Sequence, residues 1–153
     1  MKRILIYIGI LTAVLLVPLE CTDVGKLRPV QTVSVFCDGD SYTIAADTGD
    51  QGSGTTAMEA LNDLKQTTPA IIYLDTAQFL LVGKNADAAV EQLRPFFRKS
   101  VEVYSFRGEA NLELVSKYLS VHGNGPKLKD WDFGEKLPVL ACSGAQIMRA
   151  KNN

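Results

Sequence analysis

Lys2 and Arg3 are followed by an uncharged, largely apolar run from Ile4 to Leu19, and then by Glu20, Cys21, Thr22 and Asp23. This opening divides the chain into two physical parts, because such a run gains little from water and must find a lipid phase or a protein core. A basic cluster ahead of a short apolar segment is the pattern of an export signal. The run of 16 residues falls short of the ~20 that span a hydrocarbon core comfortably. Residues 1–21 therefore read as a signal peptide or a membrane anchor, and either sends the remainder to the extracytoplasmic side. Residues 22–29 are polar, end in Pro29, and read as a tether.

The rest of the chain, roughly 130 residues, is long enough for one domain with its own core. Its charge is balanced, with a net of −1, and Lys and Arg are scattered, so no electrostatic footprint for nucleic acid is present. Cys21 stands at the exit of the run, where it is a candidate lipidation site of the bacterial lipoprotein kind. Pro18 and Glu20 depart from the small-residue approach such sites prefer, which keeps an uncleaved anchor open. Cys37 and Cys142 could form a disulfide in an oxidising compartment. The alternative is two buried free thiols.

Residues 30–145 read as a single globular α+β domain, with a polar tail over 146–153. Val30 to Cys37 alternates as a strand, Asp38-Gly39 is a hairpin turn, and Ser41 to Asp47 is the returning strand. Thr48 to Gly54 reads as a Gly-rich acidic loop. Thr56 and Glu59 have the spacing of a capping box, and Ala57, Ala60, Leu61 and Leu64 form the buried stripe of a helix. Ile71 to Leu74 reads as a covered strand, and Phe79 to Val82 as a strand or the lead-in to a helix. Asn85 is the expected N-cap of a second helix, whose stripe is Ala86, Ala89, Val90, Leu93 and Phe97, and Pro95 ends it near Leu93. Val101 to Phe106 alternates as a strand, Glu109 to Leu119 reads as a third helix, and Leu137 to Leu140 is a short apolar segment. The sum is an α+β fold with a mixed or antiparallel sheet of about four to five strands and three helices, preceded by an N-terminal hydrophobic helix.

Few residues invite chemistry. Gly49, Gly52, Gly54, Thr55 and Thr56 follow a strand and open a helix, as a phosphate-binding loop does. With Ala57 and Asp75 they also fit the outline of a dinucleotide fingerprint. Thr55, however, stands where such a loop needs Lys, and Asp47 and Asp50 would repel a pyrophosphate. The competing reading is a flexible connection and a capped helix. Asp38, Asp40, Asp47 and Asp50 split between the two ends of a hairpin, so a calcium site is not expected. His122 is the sole histidine, which does not support zinc, and Cys142 with Asp130 or Asp132 has no spacing that defines a triad. Trp131 and Phe133, near Lys127, Lys129 and Lys136, form either a partner patch or a plug at the edge of the core. No metal or cofactor is expected, and no catalytic residue.

The stretch from Ala57 to Leu64, then Pro69 to Asp75, Leu80 to Gly83, Ala86 to Leu93 and Arg98, resembles the first domain of the C subunit of spore germinant receptors, the Ger(x)C lipoprotein family. The Glu59-Ala60 pair, Gly83 and Arg98 stand in matching places, and Leu137-Pro138 is similar to that family's domain-closing segment. The likeness covers about residues 30–140. It implies a non-enzymatic accessory of a membrane nutrient-sensing complex, with integral-membrane protein subunits as partners.

Overall fold

The computed structural model describes residues 24–108, 111–132, 134–143 and 146–149. The expected leader with Cys21, Phe133, and the last four residues of the expected tail lie outside the described residues.

The domain is α+β, with three helices and a mixed sheet. In chain order the elements are β1 (Leu27–Pro29), β2 (Thr32–Asp38), β3 (Ser41–Ala46), β4 (Gln51–Gly54), α1 (Ala57–Thr67), β5 (Ile71–Tyr73), β6 (Phe79–Val82), α2 (Asp87–Leu93), β7 (Glu102–Arg107), α3 (Leu112–His122), β8 (Val139–Ser143) and β9 (Gln146–Arg149). Seven strands form one sheet in the order β4-β3-β2-β6-β7-β8-β9, and β1 pairs with β5 in a separate ribbon. The four central strands are mutually parallel, while at the flanks β3 pairs antiparallel with β2, β4 with β3, and β9 with β8.

The layering follows from side-chain alternation. Parallel strands need helical crossovers, which cover both faces of the sheet. All four residues of β6 are buried, as a central strand requires. On one face Val33, Val35, Leu80, Val82 and Val103 pack against α1 and α2 through Ala60, Leu61, Leu64, Ala89, Val90 and Leu93. On the other, Leu81, Tyr104, Phe106 and Leu140 pack against Val115 and Leu119 of α3. The domain is therefore helix–sheet–helix, with unequal helical layers.

Several expectations change. The main sheet has seven strands rather than four to five, because polar segments at its flanks join it. Gln51–Gly54, expected as loop, is β4. Gln146–Arg149, expected as part of a polar tail, is β9, paired with β8. Leu27–Pro29, expected within a tether, pairs with β5. Pro29 is tolerated there because a two-stranded ribbon consists only of edges. The N-cap of α2 is Ala86 rather than Asn85. Asn85 adopts a left-handed conformation, φ 62°, which Asn accepts more readily than most residues. α3 begins at Leu112, three residues later than expected, because Asn111 caps it by accepting from Leu114 N.

Candidate functional site

The Gly-rich segment is a packing surface. α1 lies so close over β4 that a Cβ on Gly52 would sit 2.2 Å from Leu64 N and 2.4 Å from Ala60 O. A Cβ on Gly54 would sit 2.5 Å from Glu59 Cβ. Glycine is required here to let two backbones meet, and fully buried Ala60 is the matching small residue on the helix. The outer edge of β4 is also occupied, since Ser53 N donates to Asp63 Oδ2 at 2.9 Å.

The N-terminus of α1 is filled by its own side chains. Glu59 N donates to Thr56 Oγ1 at 3.1 Å, and the Glu59 carboxylate accepts from Thr55 N at 2.9 Å and from the Thr55 hydroxyl. The hydroxyl and amide of Thr55 hold that carboxyl below the usual range. A phosphate arriving at this helix end would meet an anion already bonded to the donors it needs. Gly49, at φ 85°, serves the β3–β4 turn instead.

The cysteines do not meet. Cys37 lies on β2 and Cys142 on β8, with β6 and β7 between them. Three inter-strand steps place them roughly 14 Å apart, beyond the ~7 Å limit between Cα atoms of a disulfide. Cys37 is a half-buried free thiol, so of the two alternatives the strand order rules out the disulfide.

The aspartates separate as expected. Asp38 and Asp40 flank the β2–β3 turn, while Asp47 and Asp50 lie at the opposite end of that hairpin. Burial pushes the Asp47 carboxyl up, although the amides of Gln31 and Thr32 donate to it. Burial also pushes on Asp50, but bonds from Thr48 and from Arg28, 2.8 Å away, outweigh it and leave that carboxyl low. His122 ends α3, stacked on Tyr118 at 4.7 Å. Trp131 is buried to 1% exposure within the core on the α1–α2 side, and its Nε1 donates to Glu135 O at 3.2 Å. It is a plug, one of the two readings the sequence left open, and the partner-patch alternative loses its main ring.

The positions on which the germinant-receptor resemblance rests have separate local roles. Glu59 caps and Ala60 packs on β4. Gly83 makes room for a ring, because a Cβ there would lie 2.5 Å from Phe36 Cδ1. Arg98 is exposed ahead of β7 and lines a cleft of about 240 Å³ with Asp75 and Glu102.

Sequence reasoning missed a polar pin at the start of β7. Tyr104 Oη donates to Glu102 Oε2 at 2.6 Å and accepts from Asn124 N at 2.8 Å, while Gly125 N donates to the same carboxylate at 3.1 Å. Burial, reinforced by the bond to Glu102, pushes the Tyr104 phenol up to about 12. These bonds fix the chain as it leaves α3, before Leu128 and Trp131 enter the core on the other face. The spacing of Glu102 and Tyr104 gave no signal, because their partners are backbone amides some twenty residues away.

Two further surfaces are open. At the carboxyl half of β7, Ser105 and Arg107 border a crevice of about 370 Å³ with Asp87, Glu135 and Lys136. It lies at the carboxyl ends of β6 and β7, beside the start of α2. Its rim mixes two cations with two carboxylates. The outer face of α3 carries Leu114 and Val121, 38% and 77% exposed, with half-buried Tyr118 between them. That i, i+4, i+7 spacing is an apolar stripe pointing to solvent.

Among the described residues, no three His, Cys, Asp or Glu side chains gather as a metal site. Among them, too, no helix is long and apolar enough to cross a membrane. No family model, curated protein or solved structure matches this chain.

Proposed function

We propose that this chain is an extracytoplasmic α+β domain tethered to a membrane by residues 1–21, and that it works by binding protein partners without a bond-making step. The observation that carries the reading is the apolar run Ile4–Leu19 behind Lys2 and Arg3, with β1 beginning only eight residues after Leu19. The domain starts almost where the run stops, so insertion of the run holds the domain at the lipid surface. The stripe of Leu114, Tyr118 and Val121 supports partner binding, because helix-in-groove recognition uses anchors at this spacing. The partner class that fits is an integral-membrane subunit beside the tether, as in the spore germinant receptors whose C subunit the chain resembles.

Fractionation of cells making the full chain or a version lacking residues 1–21 tests the tether. The full chain is expected in the membrane fraction and the shortened one in the soluble fraction. Equal solubility of both in the cytoplasm overturns the reading. Leu114→Ser with Val121→Ser is expected to leave the chain in the membrane fraction while abolishing its crosslinks to neighbouring membrane subunits.

A further inference from the structure

Extending the tethered reading, on which it rests, we propose that the amino-terminal end of the parallel strands is a lipid-facing base that seats the domain on an anionic membrane surface. β1 leads into β2 and β5 leads towards β6, so the β1–β5 ribbon extends from the starting ends of two central strands. Thr76 Oγ1 locks it there, accepting from Val30 N and donating to Val30 O, both at 3.0 Å.

The register pairs Leu27 with Ile71 and Pro29 with Tyr73. Paired residues and their i+2 neighbours share a face of a sheet, so these four apolar side chains form one platform. Ile71 and Tyr73 are 48% and 39% exposed, whereas Ile72 on the other face is buried. A ribbon that faced only water would carry polar residues on this side.

The neighbouring corner of the same end is cationic. Arg98 and Lys99 precede β7, Lys127 bridges to Glu102, and Lys129 N donates to Lys99 O at 3.2 Å. All four cations are exposed, and so is Lys26, directly ahead of Leu27. Asp75, Glu102 and Asp130 stand among them. Glu102 is occupied by Tyr104 and Gly125, and Asp130 lies 3.8 Å from Lys129 Nζ. Arg28 and Asp50 pair with each other, and Asp47 turns to backbone amides.

The occupant follows from where the apolar run ends. Leu27 is eight residues beyond Leu19, at most about 29 Å of chain, and the helical turn at Val24–Lys26 shortens that reach. A run held in lipid therefore keeps the platform within reach of the headgroups. Tyr beside aliphatic side chains and Lys suits that layer, where one end of the ring is apolar and the other wet. Cations close to an anionic leaflet add attraction.

The test uses the full chain with Cys21, Cys37 and Cys142 changed to Ser. Ile71→Cys, Tyr73→Cys or, at the opposite end of the sheet, Asp40→Cys carries an environment-sensitive fluorophore. Each protein is reconstituted into phosphatidylcholine–phosphatidylglycerol vesicles, floated, and quenched with doxyl-labelled lipid. Flotation is expected for all three, with quenching at 71 and 73 about twofold or more above that at 40, as burial in the interface requires. Lys99→Glu with Lys129→Glu is expected to lower the quenching at 71 without changing flotation. Flotation with equal quenching at 71 and 40 overturns the lipid-facing base and leaves the tether standing. Failure to float overturns the tether and this proposal with it. A probe at 71 that is equally shielded in detergent without lipid assigns the platform to residues 1–23 or to a second copy, and overturns the proposal.

Discussion

Gly52→Ala isolates the role of the glycine-rich segment. A methyl at this position would lie 2.2 Å from Leu64 N, 2.4 Å from Ala60 O and 2.6 Å from Leu64 Cα, all backbone atoms. An ordinary contact needs 3.4 Å, so α1 must retreat by about 1.2 Å, the difference between the two distances. A gap of 0.5–1 Å already forfeits roughly a quarter to a half of a dispersion well. Burial of Leu61 and Leu64 is worth about 2 kcal/mol each, and each alanine methyl about 0.8. Losing half of that costs about 3 kcal/mol, the upper part of the range for overpacking. For a domain of this size the melting temperature falls by roughly 10 °C. Gly49→Ala is the control. Its Cβ meets nothing within 4 Å, so only the left-handed backbone contributes, at about 1–2 kcal/mol. Thermal unfolding of the full chain in mild detergent, followed by far-UV circular dichroism, ranks the two. Wild-type stability for Gly52→Ala, or a smaller loss than for Gly49→Ala, would refute the packing argument.

Other consequences are equally accessible. Trp131→Ala empties a fully enclosed site and removes the bond to Glu135 O, so urea unfolding is expected to register a loss of about 3–5 kcal/mol. Glu59→Gln tests the cap through pH. The bonds from Thr55 hold the native carboxyl below its ordinary range, so its stabilisation is complete above the unfolded pKa and is lost as pH falls through the native one. The stability difference between wild type and Glu59→Gln should be largest near neutral pH and vanish in strong acid. Because Cys37 is a free thiol three strands from Cys142, the oxidised full chain is expected to take up maleimide at Cys37. A species with Cys37 and Cys142 linked, seen by mass spectrometry, contradicts the sheet order.

The elements legible in the sequence are those whose signal is local. The Asp38-Gly39 turn, the Thr56–Glu59 cap, the stripe through Leu61 and Leu64, and the stop at Pro95 each depend on residues a few positions apart. The α1–β4 contact is different. Gln51–Gly54 has no apolar alternation, because its function as a strand is to bring no side chain at all where the helix approaches. Only the position of α1 reveals that, and the same glycines therefore suggested a phosphate loop. β9 is a four-residue edge strand, too short and too mixed in polarity to show an alternation, and only its pairing with β8 sets Ile147 against the core. Parallel pairing of β2, β6, β7 and β8 depends on crossovers, which also decide that Cys37 and Cys142 lie apart. The separation of the hairpin aspartates into two pairs was legible, since it needs only the turn. The plug reading of Trp131 holds, but what holds its loop was not legible, since Arg94 Nη2 donates to Trp131 O at 2.9 Å from 37 residues away.

The central claim, a folded domain held outside the cytoplasm by its first residues, is tested most directly by labelling from outside. A full chain whose sole thiol is at Asp40→Cys, in the exposed turn between β2 and β3, is treated in intact wall-stripped bacterial cells with a membrane-impermeant maleimide. The account predicts labelling before lysis, in a protein that sediments with membranes. Labelling that occurs only after lysis would contradict it.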